Sequence, residues 1–203
     1  MCTASTDPTD LIRRARQGDP ERLSELIDRY RPYLKLLARL QQDERLRAKL
    51  DDSDMVQEVS AQAARDFAKF RGVSEAEFTA WLRAKMAGVA AQSVRHYTRR
   101  RRDVQLEREL QQALDHSSCW LGSRLVSAEV TPSEHALRRE RAVLVAEALS
   151  QLPDHYREIL ILRDLQGLTL EQIAQHMSRS PDSVRKLWAR AVVKVRQLLK
   201  DKV

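Results

Sequence analysis

Outside residues 103–133, the apolar residues of this chain return every third or fourth position and almost nowhere alternate. That period belongs to an α-helix with one buried stripe, whereas a half-buried strand repeats every second residue. Leu11, Ile12 and Ala15 form a first short stripe. After Gly18 and the Asp19-Pro20 step, Leu23, Leu26, Ile27, Tyr30, Leu34, Leu37 and Ala38 form a second. Met55, Val56, Val59, Ala63, Phe67 and Phe70 form a third, which ends at Arg71-Gly72. Phe78, Trp81, Leu82, Met86, Val89, Ala90 and Val94 form a fourth. Only five Gly and six Pro interrupt 203 residues rich in Leu, Ala, Arg and Glu, so the pattern predicts an all-α protein.

The stretch QLERELQQALDHSSCWLGSRLVSAEVTPSE has no long clean period and ends on the breaker Thr131-Pro132, which reads as a tether with at most a short helix. Beyond it the helical period resumes over Leu137 to Leu149, Pro153 to Leu165, Thr169 to Met177 and Pro181 to Lys200. The expected organisation is therefore two small helical domains, residues 9–102 and 134–203, joined by a linker at 103–133. No internal repeat is visible.

A formal net charge of +7 biases the chain toward polyanions, with nucleic acid the leading class of partner. The block Arg99, Arg100, Arg101, Arg102 concentrates part of that charge. Cys2 and Cys119 form no disulfide framework, which fits a reducing compartment. No apolar run is long enough to span a bilayer, and MCTASTDPTD has neither a basic nor an apolar leader region, so cytoplasmic residence without membrane insertion is expected. His116 and Cys119 supply two metal ligands, too few for a closed site, and no metal is expected. There is no phosphate-cradling Gly loop and no nucleophile triad among the scattered His, so the sequence predicts neither an enzyme nor a cofactor.

The stretch MSRSPDSVRKLWARA, residues 177–191, carries the sharpest local signal. Thr169 caps the helix LEQIAQHM, which stops near Met177. Ser180 is a good N-cap for the next helix, Pro181 suits its first position, and Asp182 complements its dipole. Ala174 is small enough for a close crossing, and Val184 and Leu187 fall where they press against Ile173 and Met177. Two short helices, a tight turn and this pattern make a helix-turn-helix. With Val184, Leu187, Trp188, Ala191 and Val195 facing inward, Lys186, Ala189 and Arg190 point outward and Arg185 lies on the flank. At the turn, the position that usually carries glycine is Ser178, where a left-handed backbone costs about 1 kcal/mol.

Taken together, the ordered segments resemble a bacterial sigma factor of the extracytoplasmic-function type. LPDHYREILILRDLQGLTLEQIAQHMSRSPDSVRKLWARAVVKVRQLL resembles sigma region four, while GDPERLSELIDRYRPYL, DDSDMVQEV and FTAWLRAKMAGVAAQSVRHYTRRRRD resemble the region two helical bundle. Pro132-Ser133-Glu134 resembles a box that closes the tether in some family members. The resemblance covers about residues 9 to 200 and implies that the chain binds core RNA polymerase and directs it to promoter DNA, with room for an anti-sigma factor as a further partner.

By the same resemblance DSDMVQEV meets the coiled coil of the polymerase's largest subunit, through Asp54, Gln57 and Glu58, which lie off the Met55, Val56, Val59 face. Arg71 in the loop AKFRGVSEAEF, with Arg83, Lys85, Arg95 and Arg99 to Arg102, would serve the minus-ten element. A cationic groove there can capture the unpaired strand. Phe78 and Trp81 read as core rather than as base stackers. Gly88 stands where the family commonly has an asparagine that contacts a flipped base, and Gln92 where it often has aspartate, so base selection falls to the loop. In region four the matching minus-35 readers are Arg185, Lys186, Ala189 and Arg190. Arg179, Ser180 and Ser183 sit at the helix start, where hydroxyls and backbone donors suit phosphate. Two rival readings stand beside this one: a conventional helix-turn-helix regulator with a sensing or dimerisation domain, and an RNA-binding or RNA-modifying helical protein.

Overall fold

A computed structural model describes residues 7–41, 51–98, 111–112 and 134–200. The chain divides into two compact units, Met1–His116 and Ser117–Val203, and the described residues are helical with no strand. The fold is all-α. Most of the tether expected at 103–133 lies outside the described residues, as do Arg99 to Arg102, His116 and Cys119.

The first unit contains α1 (Pro8–Arg16), α2 (Pro20–Gln41), α3 (Asp52–Asp66), a 3-10 turn (Phe67–Lys69) and α4 (Glu75–Thr98). Asp7 caps α1, its carboxylate accepting from Thr9 N at 3.0 Å. Asp51 caps α3 in the same way through Ser53 N at 2.8 Å. α1 packs on α2, α2 on α3 and α3 on α4. Leu11, Leu26, Tyr30, Leu34, Val59, Phe78, Leu82 and Met86 lie in the resulting core. An aromatic cluster closes one end: Phe67, Phe70, Phe78 and Trp81 stack with centroids 5.2 to 6.3 Å apart, and Tyr30 meets Phe78 edge-on at 5.1 Å.

The second unit contains α5 (Glu134–Ser150), α6 (Asp154–Leu160), a π-helical turn (Ile161–Leu165), α7 (Leu170–His176) and α8 (Pro181–Lys200). Arg157 ties α6 to the end of α5, donating to the carbonyls of Leu149 (3.0 Å), Ser150 (3.3 Å) and Leu152 (2.8 Å). Carbonyls at a helix end have no partner within the helix, so a guanidinium fork supplies three at once. The π-turn closes through Gln166 N to Ile161 O (2.9 Å) and Leu168 N to Leu162 O (3.0 Å), with Gly167 in the left-handed region at φ 73°. α8 packs against α5, α6 and α7. Among the described residues no helix is long and apolar enough to cross a membrane.

Candidate nucleic-acid interface

The helix pair α7 and α8 is set by its caps. Thr169 and Gln172 form a reciprocal capping box: Gln172 N donates to Thr169 Oγ1 at 3.2 Å, and Thr169 N to Gln172 Oε1 at 2.8 Å. At the other end Ser178 N donates to Gln175 O (3.2 Å) and Arg179 N to Ala174 O (2.9 Å), with Ser178 at φ 51°. This is a Schellman closure with serine in the position that glycine occupies most cheaply. α8 then starts at once, with Ser180 Oγ accepting from Ser183 N at 3.3 Å and donating to Ser183 Oγ at 3.0 Å. The stop and the restart therefore fix the angle at which α8 leaves α7.

That angle buries one stripe of α8 and exposes another. Val184, Leu187, Ala191 and Val195 are buried, together with Ile173 and Ala174 of α7. Trp188 is half-buried. Its indole N–H donates to Asp164 Oδ2 at 3.0 Å, and the Arg163 guanidinium lies 5.9 Å from its ring centre. Trp188 thus anchors α8 to the π-turn. Arg179, Ser180, Ser183, Arg185, Lys186, Ala189 and Arg190 are all exposed and brought together on one face of the turn and helix. A helix about 10 Å across, carrying Arg and Lys along its outer side, has the dimensions of a major-groove element. Asp182 lies among these cations, 2.8 Å from Lys186 Nζ and 3.7 Å from Arg185 Nη1. Its carboxyl is held below the usual carboxylate range, first by the hydrogen bond from Lys186 and further by the charges of Lys186 and Arg185.

In the first unit α3 presents a polar face. Asp54, Gln57 and Glu58 are exposed while Met55, Val56, Val59, Ser60 and Ala63 are buried. Glu58 Oε1 accepts from Gln62 Nε2 at 2.9 Å and from Arg65 at 3.3 Å. The loop between the 3-10 turn and α4 is tightly specified. Glu77 Oε2 accepts from Val73 N (2.9 Å), Ser74 N (3.0 Å) and Ser74 Oγ (2.8 Å). These bonds, that from the Val73 N–H foremost, lower the Glu77 carboxyl from its ordinary value. Gly72 is there because nothing larger fits: a Cβ would lie 2.4 Å from Phe70 Cζ and 2.8 Å from Glu77 Cβ. Arg71 is exposed at the edge of this loop.

Two of the cations expected on the minus-ten surface stand elsewhere. Arg83 is 1% exposed and donates to Tyr33 Oη at 3.1 Å, so it cannot meet a phosphate without unpacking the core, and its expected DNA contact is withdrawn. Lys85 is paired with Asp66 at 2.5 Å and lies 5.4 Å from the Trp81 ring centre. Lys85 stays partly exposed in that pair. Arg95 lies on α4, with its side chain outside the described residues, as are Arg99, Arg100, Arg101 and Arg102. Phe78 is fully buried, as expected of core, whereas Trp81 keeps part of its ring at the surface. Gly88 is half-buried and Gln92 exposed on α4. Among the described residues no group of three or more His, Cys, Asp or Glu could hold a metal ion.

Asp182, Asp164 and Arg157 were not singled out as shaping this surface. Asp182 carried a signal, being three and four residues before Arg185 and Lys186 on one helix. The other two act through partners on other elements, which spacing does not reveal.

Comparison with known proteins bears on the second unit most directly. The family model for sigma-70, region 4, matches residues 142–195, which include α6, the π-turn, α7 and most of α8. Among solved structures, the 1.8 Å structure of the RsbN–BldN complex is similar, at 20% sequence identity over 92% of this chain and 98% of that chain, with a TM-score of 0.33. A search of curated proteins gave no match. The likeness to sigma-70, region 4, thus covers residues 142–195, the part of the chain that holds the capped helix pair and its exposed cations.

Proposed function

We propose that the chain is a sigma factor of the extracytoplasmic-function type, which binds core RNA polymerase and directs it to promoters. The observation that carries this reading is the exposed ridge Arg185, Lys186, Arg190 on a helix whose start Ser180 caps, inside the segment that matches sigma-70 region 4. Residues 134–203 would take the minus-35 duplex, with Arg185 and Arg190 on base edges or phosphates and Arg179, Ser180 and Ser183 on the backbone at the helix start. Residues 9–102 would take the polymerase through Asp54, Gln57 and Glu58, and the minus-ten strand through Arg71 and the basic end of α4. The linker at 103–133 would let the two domains meet separate patches of promoter. An anti-sigma factor that covers either surface would silence both, and the chain would act in the cytoplasm, where polymerase and chromosome are.

The mechanism is a transfer of binding energy. Neutralising phosphates releases counterions and gives salt-sensitive affinity, the reading helix gives register, and the polymerase supplies the chemistry. The exposed Asp54, Gln57, Glu58 face offers acceptors to a basic partner helix and leaves the apolar side of α3 in the core.

Co-elution of the purified full chain with core polymerase tests this reading. Wild type is expected to form a stable complex, and Asp54→Ala combined with Glu58→Ala to weaken it by about tenfold, roughly 1.4 kcal/mol. A chain that binds duplex DNA tightly alone and ignores the core enzyme would be a conventional regulator instead.

A further inference from the structure

Asp182 is the one acidic residue set among the outward cations of α8. Its carboxylate reaches Lys186 at 2.8 Å and Arg185 at 3.7 Å, and all three side chains are about two-thirds exposed. The Glu171 carboxyl of α7 is lowered first by its own backbone N–H and the Thr169 hydroxyl, then by the charge of Arg163, and last by that of Arg185. Among the described residues Arg179 and Arg190 face no carboxylate at ion-pairing distance. Among the described residues the proposed reading surface therefore holds two kinds of cation: Arg179 and Arg190 with no carboxylate at ion-pairing distance, and Arg185 and Lys186 already partnered.

We propose that Asp182 is a specificity-determining residue of this helix: it withholds Arg185 and Lys186 from bare phosphate and accepts from a cytosine amino group when the correct sequence is docked. The proposal rests on the reading of α8 as the duplex-reading helix. Non-specific affinity comes from cations that neutralise phosphates and release counterions. A cation already against a carboxylate gains little by exchanging that anion for a phosphate, so the phosphate contacts at the helix start fall to Arg179, Ser180 and Ser183. At the correct site the balance changes. An aspartate can accept from cytosine N4 in the major groove, while the arginine beside it donates to guanine O6 and N7. Asp182, Arg185 and Lys186 thus form a mixed patch that fits a G·C-containing step and fits a uniform phosphate row badly. A patch of cations alone would bind both.

The test compares holoenzyme carrying wild type, Asp182→Asn or Asp182→Ala. Binding is measured to the minus-35 duplex that wild type selects from a randomised pool and to an unrelated duplex of equal length, over a salt series. Both variants are expected to bind the unrelated duplex several-fold more tightly, to lose about three- to tenfold in the ratio of selected to unrelated affinity, and to show a steeper salt dependence, by about 0.9 for each cation released to phosphate. A ratio and slope equal to wild type overturn the proposal. Arg190→Ala is measured in parallel: if it abolishes selection while the Asp182 variants match wild type, α8 remains the reader and the role of Asp182 alone falls. If Arg185→Ala and Arg190→Ala leave selection intact, the reading of α8 falls, and the proposal with it.

Discussion

Ser178 shows how much one backbone angle decides. At φ 51° it stands in the left-handed region between α7 and α8, where a side chain costs about 1 kcal/mol that glycine does not incur. Ser178→Gly is therefore expected to stabilise the second unit by about 0.5 to 1 kcal/mol, read as a higher urea midpoint with an unchanged slope. The positive angle was legible from the helix stop at Met177 and the cap at Ser180. Arg83 was not. A charged residue next to the buried Leu82 reads as solvent-facing, yet Thr79, Arg83, Ala87 and Ala90 form a second buried stripe on α4. Its burial depends on Tyr33, fifty residues earlier, whose hydroxyl accepts from the guanidinium. A buried charge persists only where such a partner exists, and a partner of that kind leaves no local trace in sequence.

Between elements, the most informative junction is the end of α3. Asp66 accepts from Lys69 on the adjoining turn at 2.8 Å and from Lys85 of α4 at 2.5 Å, and these two bonds draw its carboxyl down from 3.8 to about 2. A carboxyl with a depressed folded value stabilises the fold above its unfolded value, and that contribution disappears as pH falls through the folded value. Wild type should therefore exceed Asp66→Asn in stability at neutral pH, and the difference should shrink between about pH 4 and pH 2, as followed by urea unfolding at each pH. Helix positions themselves were readable, because stripes such as Leu26, Ile27, Tyr30, Leu34 repeat at 3.6 and Gly18 and Pro20 punctuate them. The π-turn at Ile161–Leu165 was not, since one extra residue per turn alters apolar phase too little to separate it from α-helix. That turn nonetheless places Asp164 where the Trp188 indole needs it.

At the scale of the whole chain, two units carry two different surfaces: an acidic and amide face on α3 in one, an arginine and lysine ridge on α8 in the other. The proposed function requires both, one to hold the polymerase and one to hold the promoter. Much of the second surface was legible, because the amphipathic phase of α8 determines at once which residues press on α7 and which face outward. Less of the cationic side of the first unit was, since Arg83 is buried against Tyr33 and Lys85 pairs with Asp66. Run-off transcription with purified core polymerase on genomic fragments, comparing wild type with the Arg185→Ala, Arg190→Ala double variant, decides whether α8 chooses the promoter. Defined start sites are expected with wild type and their loss, by tenfold or more in transcript, with the variant, about 1 to 3 kcal/mol for each arginine that reads guanine. Start sites chosen identically and with equal strength by both proteins would contradict it.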